Sequence, residues 1–215
     1  MIQLFERLWL QIKGMRTLFL VPFIGYYGII PLYVWVKSYS SDFSPLNAVE
    51  EMGYLLVPFL STWWIYLILK EYIEGDGREV LLLGKHTFLG AVLFWIINSI
   101  CYIPVLYLKV EDFWAIARYD LYVQLVIIAF FMGGFCYFLN YYTKSVTVSM
   151  LLVMLYSTIS NYTFKDERFV KLFTPLQFTV LQEAPYDENY SSYFKFILAG
   201  LIFWILGVAK SRKME

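Results

Sequence analysis

The sequence predicts an all-α integral membrane protein with six transmembrane helices, and three observations predict it. Of its 215 residues, 60% are hydrophobic and only 16% are charged. The apolar residues collect in six runs, each near the length of a bilayer crossing. All the charged residues but Lys195 fall between those runs. A soluble domain carries about 25% charged and about 45–50% apolar residues, so this excess of apolar surface could not be hidden in one soluble core. In lipid every backbone N–H and C=O must be bonded within the protein, which makes the runs helices rather than open strands. No alternating ten-residue pattern supports a barrel.

The chain begins with an amphipathic stretch. Ile2, Phe5, Leu8 or Trp9, and Ile12 share a stripe, while Glu6, Arg7 and Lys13 lie off it. Residues 1–16 are therefore expected to form an interface helix on the cytosolic side. The apolar run that follows is too long for a signal-peptide core and lacks a small-residue cleavage site, so it is expected to stay in the mature chain.

A crossing needs about 20 apolar residues for a hydrocarbon core about 30 Å thick. The six candidate spans are 17–36, 52–69, 87–108, 121–140, 145–164 and 193–209. Pro22, Pro31, Pro58 and Pro104 fall inside them, where kinks are tolerated. Gly133-Gly134 in the fourth span suits close helix packing. The fifth span is the most polar, with Ser145, Thr147, Ser149, Ser157, Thr158, Ser160 and Asn161. Those hydroxyls read first as bonds between helices, and alternatively as the lining of a wet path. Between the fifth and last spans, residues 165–192 form the longest loop, apolar but interrupted by Pro175 and Pro185. A loop of that kind is expected to dip into the bilayer as a re-entrant segment, with protein covering its backbone.

Loop charge sets the orientation. With both termini in the cytosol, ten of the 17 basic residues lie inside and seven outside, while six acids lie inside and eleven outside. Basic residues in short loops mark the cytosolic face. Arg7, Lys13 and Arg16 before the first span, and Lys210, Arg212 and Lys213 after the last, strengthen the bias. The expected location is the cytoplasmic (cell) membrane. The formal net charge is zero, which suggests no nucleic-acid partner. The aromatics, 21% of the chain, suit belts at the two membrane–water interfaces. Cys101 and Cys136 sit in apolar runs and are expected to be free thiols.

The densest charged patch is the cytosolic segment 70–86, between the second and third spans. It runs Glu71-Tyr-Ile-Glu-Gly-Asp-Gly-Arg-Glu-Val-Leu-Leu-Leu-Gly-Lys-His86. Gly75 and Gly77 break the helix that leaves the membrane. Arg78 to Leu83 can then form a short amphipathic helix along the membrane face. The acids and Arg78 would meet a soluble partner there. The residues carrying this reading are Glu71, Glu74, Gly75, Gly77, Arg78, Glu79, Leu81 and Leu82.

This segment resembles the coupling segment of the type-2 ABC exporter permeases. The resemblance rests on Glu71, Gly75, Glu79, Leu81 and Leu82, just after the second span. One extra residue separates Gly75 from Glu79. Asp76-Gly77 stands where the family has threonine, and Gly84-Lys85 where a proline often closes the motif. The layout of the whole chain is also similar: a cytosolic interface helix, six spans, termini inside, and a re-entrant outer loop before the last span. The resemblance implies a permease subunit driven by a separate nucleotide-binding ATPase subunit, which would hold the ATP and Mg. It also implies a second permease subunit, identical or related. A P-loop needs G-x-x-x-x-G-K-[ST] to cradle phosphates. The nearest sequence, Gly84-Lys85-His86, has Glu79 at the first glycine position and His86 at the hydroxyl position. No cofactor is expected on this chain.

Other function classes fit less well. No Asp, Glu, Lys or Arg is expected to be buried within the six spans, so intramembrane acid–base chemistry and an ion-coupled transporter have little to work with. The single histidine, His86, and two distant cysteines cannot build a metal site. Asn98 and Gln124 are isolated amides and read as packing partners. A non-transport membrane protein, such as an immunity or assembly factor, stays open. An aromatic, hydroxyl-rich wall with little fixed charge suits an amphipathic or hydrophobic cargo such as a peptide, bacteriocin or drug.

Overall fold

The computed structural model describes residues 13, 15–39, 45–74, 87–107, 115–161 and 190–212, and these form six helical runs. Helix α1 covers residues 16–37, α2 Pro45–Ile73, α3 Thr87–Tyr102 with a 3-10 turn over Ile103–Tyr107, α4 Ala115–Thr143, α5 Val146–Asn161 and α6 Tyr190–Ser211. There is no strand among the described residues. The interface helix expected over 1–16, all but the end of it, lies outside the described residues. So do residues 75–86 of the charged segment and 162–189 of the long loop.

Five of these helices are long and apolar enough to cross a membrane, namely α1, α2, α3, α4 and α6. The chain therefore has the architecture of a multi-pass all-α membrane protein. The apolar stretch of α5, Val146–Ser160, is shorter. Helices α2 and α4 run to 29 residues each, well past the apolar runs expected at 52–69 and 121–140. A helix keeps its hydrogen-bond ladder where its side chains turn polar, so hydropathy marks the hydrocarbon and not the helix end. Glu50 and Asp120 are consequently helical residues, not loop residues.

The helices alternate in direction. Trp63 and Trp64 of α2 donate their indole N–H groups to the carbonyls of Leu18 and Phe19 near the start of α1, at 2.9 and 3.0 Å. At the other end of the same pair, Lys37 lies 3.6 Å from Glu51, and the Tyr33 hydroxyl donates to Glu51 at 2.6 Å. Tyr26 of α1 meets Asn98 of α3, Ile65 of α2 lies against Gly133 of α4, and Tyr156 of α5 packs on Phe131 and Phe135 of α4. Helices α2 and α4 form the centre, with 67% of each apolar window covered by protein; α1 and α6 are peripheral at 28% and 22%.

Two prolines shape the helices. Pro31 cannot donate to the carbonyl one turn before it, and its ring crowds that carbonyl. The helix widens into a π turn over Gly25–Ile29 just ahead of it. Pro104 likewise ends the regular part of α3, which tightens into the 3-10 turn. The Tyr27 hydroxyl donates to the carbonyl of Cys101 at this break, at 2.7 Å.

Close packing of α4 on α6 depends on small residues. A Cβ on Gly134 would stand 2.8 Å from the Gly200 carbonyl oxygen, and one on Gly200 would stand 2.9 Å from the Phe130 ring. Aromatic side chains do more than form interfacial belts. Trp64, Tyr26, Tyr102 and Tyr137 are fully buried, while Tyr39, Tyr107, Tyr119 and Tyr142 are exposed near helix ends. Helix α5 is turned polar side inward. Val146, Ser149, Val153, Ser157 and Ser160 are buried at helical spacing, while Val148, Leu151, Leu152 and Leu155 face outward. Cys101 and Cys136 are free thiols.

Candidate functional site

Two polar clusters close the two ends of the bundle. The first gathers where α2 ends and α5 begins. Helix α2 stops at Ile73, and Glu74 forms one last turn, its N–H donating to the Lys70 carbonyl at 2.9 Å. The Glu74 carboxylate crosses to the next helix pair. Its Oε1 accepts the backbone N–H of Val146 at 2.7 Å and the Ser145 hydroxyl at 3.2 Å. The first N–H groups of a helix lack intrahelical partners and carry the positive end of its dipole. A carboxylate is therefore well placed there, although it comes from 72 residues away.

The turn beneath it is tightly bonded. Lys144 adopts φ 55°, a left-handed conformation that reverses the chain between α4 and α5. The Thr143 hydroxyl donates to the Leu139 carbonyl at 2.9 Å and lies 3.0 Å from the Ser149 hydroxyl. The Ser149 hydroxyl donates to the Ser145 carbonyl at 2.8 Å. Thr87, the first residue of α3, joins the same corner. Its Oγ1 accepts from the Tyr141 hydroxyl at 3.0 Å and lies 3.2 Å from the Tyr137 hydroxyl. The residues flanking segment 75–86 on both sides, Glu74 and Thr87, are thus bonded to the α4–α5 corner.

The second cluster lies at the opposite end, between α2, α4 and α6. The Asp120 carboxylate accepts from the Tyr193 hydroxyl at 2.7 Å and from the Gln124 amide at 2.6 Å. The Gln124 amide nitrogen also reaches the Tyr193 oxygen at 3.1 Å, and its Oε1 accepts from the Tyr54 hydroxyl. Glu50, one turn before Tyr54, adds a second carboxylate within electrostatic reach of Asp120. Gln124 is therefore the hub of a network linking three helices, not the isolated amide its sequence position suggests.

No family model matches the chain, and neither a curated protein nor a solved structure does. Among the described residues there is no group of three or more His, Cys, Asp or Glu side chains placed to hold a metal ion. Each of the two clusters holds helix ends together: one through a carboxylate on a helix N-terminus, the other through a carboxylate–amide–phenol network.

Of the residues singled out in the charged segment, Glu71 lies in the last turn of α2 and Glu74 caps α5. Gly75, Gly77, Arg78, Glu79, Leu81 and Leu82 lie outside the described residues. The sequence reading did not find Thr87, Tyr141, Tyr54 or Tyr193 as site residues. Asp120 and Gln124 did carry a signal: four residues apart on one helix, they face the same way.

Proposed function

We propose that this chain is the membrane-spanning permease subunit of an ATP-driven exporter. It crosses the cell membrane six times, α5 included, with both termini in the cytosol. A separate nucleotide-binding ATPase subunit supplies ATP and Mg, and a second permease subunit, identical or related, completes the path. The cargo is an amphipathic or hydrophobic molecule of the peptide, bacteriocin or drug class.

The observation that supports this reading is the bonding of the two described residues that flank positions 75–86. Glu74 before it bonds Val146 and Ser145, and Thr87 after it bonds Tyr141. A partner that displaces the segment would pull on α2 and α3 and, through these bonds, on the α4–α5 corner. Packed helices respond to such a load by moving as bodies between two states. The resemblance of Glu71, Gly75, Glu79, Leu81 and Leu82 to a coupling segment points to the same place.

The test is purification of the tagged chain from its native host, followed by ATPase assay of the complex with Glu79→Arg and Gly75→Pro. A co-purifying P-loop ATPase whose substrate-stimulated activity is lost in both variants, with expression retained, supports the reading. A chain that purifies without an ATPase, with none encoded in the same operon, overturns the reading and leaves the non-transport alternative, such as an immunity or assembly factor. Unchanged transport in both variants removes the role of the segment.

A further inference from the structure

Beside the Asp120–Gln124 cluster, α3 carries three polar side chains: Asn98, Ser99 and Tyr102. They line a small cavity of about 10 Å³ whose other walls are apolar side chains of α2 and α4, Val57 and Leu125 among them. Asn98 and Tyr102 are only 1% and 2% exposed. The Asn98 Oδ1 accepts the buried Tyr26 hydroxyl at 2.6 Å, but its Nδ2 has no hydrogen-bond partner among the described residues. The Tyr102 hydroxyl has none either. It is wedged against α2, where a Cβ on Gly53 would stand 2.6 Å from it.

Two orphaned polar groups on one cavity are expensive, because each has given up water without replacement. In a membrane-spanning bundle the surroundings offer no other partner. We propose that this cavity is a binding site for a single water molecule that bridges Asn98 Nδ2 and Tyr102 Oη. The chemistry selects water over other small occupants. A cation would be a bare charge among apolar walls with no carboxylate lining the cavity. An anion would be a bare charge there too. A water accepts from both orphans and donates to the Ser99 oxygen, whose own hydrogen is committed to the Trp95 carbonyl at 2.9 Å. Three partners is the usual number for a buried water, and a cavity of about 10–15 Å³ is the least that holds one. Turning the Asn98 amide end for end leaves the assignment intact, since water donates as readily as it accepts. The site makes a polar joint where α3, about to break at Pro104, crosses α2 and α4. It does not depend on the transport reading.

The sign of one substitution separates a hydrated cavity from a dry one. In a hydrated cavity, Tyr102→Phe removes a partner of the water and lowers the melting temperature of the purified full chain by about 2–4 °C. In a dry cavity the same change deletes an unsatisfied hydroxyl and raises it. A crystal structure of the wild-type chain from a lipidic phase, at a resolution that shows ordered solvent, supplies the second readout and does not depend on the variant folding. Density within hydrogen-bond reach of both Asn98 Nδ2 and Tyr102 Oη is expected. An empty cavity, a bromide signal in it after soaking, or a Tyr102→Phe chain that melts higher overturns the proposal.

Discussion

Glu74 and Val146 meet carboxylate to backbone N–H at 2.7 Å, so the end of one central helix caps the start of another that is 72 residues away in sequence. Replacing Glu74 by alanine leaves that N–H and the Ser145 hydroxyl without their acceptor. Loss of a cap costs about 0.5–2 kcal/mol. Glu74→Ala is expected to destabilise the purified chain by about 1 kcal/mol and to speed amide hydrogen exchange in the first turn of α5, with α6 unaffected. Glu74→Gln keeps an acceptor oxygen but loses the charge at the helix dipole, and is expected to fall between the two. Equal exchange in Glu74→Ala and wild type would show that the contact does no capping.

The turn that Glu74 caps also carries strain that can be removed. Lys144 is the only described non-glycine residue with positive φ, at 55°. A Cβ in the left-handed region costs about 1–2 kcal/mol, and glycine escapes that cost. Lys144→Gly is therefore expected to stabilise the chain by up to about 1 kcal/mol after the greater entropy of the unfolded glycine is subtracted. Lys144→Val, β-branched, is expected to destabilise it. Both are read as shifts in thermal midpoint. The reverse order of the two variants would refute the strain.

At Gly134 there is no room for a side chain. Its Cβ would stand 2.8 Å from the Gly200 carbonyl oxygen, a backbone atom that can move only by shifting α6. Overpacking of this kind costs about 1–3 kcal/mol. Gly134→Ala is expected to lower stability by that amount, and Gly134→Leu to prevent the α4–α6 contact from closing. Gly28 on α1 is the control: the nearest atom to its Cβ position is the Ile24 Cγ2 at 3.8 Å. Gly28→Ala is expected to be neutral within about 1 kcal/mol, and a cost equal to that at Gly134 would mean that packing is not what the glycines serve.

Gly133-Gly134 was legible because two adjacent glycines in an apolar run have few uses, and the helix that exploits them only has to be nearby. The free cysteines and the alternating helices were legible for similar reasons, since apolar length decides them. Helix ends were not. The apolar run of α2 stops short of Glu50 and Glu51, yet the helix extends back to Pro45, because its backbone ladder does not depend on apolar side chains; there Glu51 meets Tyr33 and Lys37 of the neighbouring helix. Glu74 stood out in a charged patch, but its partner is the backbone of a residue 72 positions on, and no side-chain pattern announces a backbone donor. Asn98 and Gln124 looked alike as lone amides. What separates them is tertiary: Gln124 found Asp120, Tyr54 and Tyr193, while half of Asn98 remains open to a cavity.

The Asp120 network offers the sharpest test of that difference, because its members act on one another. Tyr193 donates to Asp120 at 2.7 Å, and Gln124 touches both, its nitrogen 2.6 Å from Asp120 and 3.1 Å from the Tyr193 oxygen. Hydrogen bonds to a charged group contribute about 1.5–3 kcal/mol each, and groups sharing one network do not add. Asp120→Asn and Tyr193→Phe are each expected to destabilise the chain. The double variant is expected to cost less than the sum by about 0.5–3 kcal/mol, because removing either partner already breaks their common bond. Tyr54→Phe, which loses a hydrogen bond to Gln124, is expected to couple more weakly to Asp120→Asn. Strict additivity of Asp120→Asn with Tyr193→Phe, measured by thermal or denaturant unfolding, would mean that the Tyr193–Asp120 bond does not help to join α4 and α6. Coupling would mean that α4 and α6 are also clamped at the Asp120 end, in addition to the packing at Gly134 and Gly200.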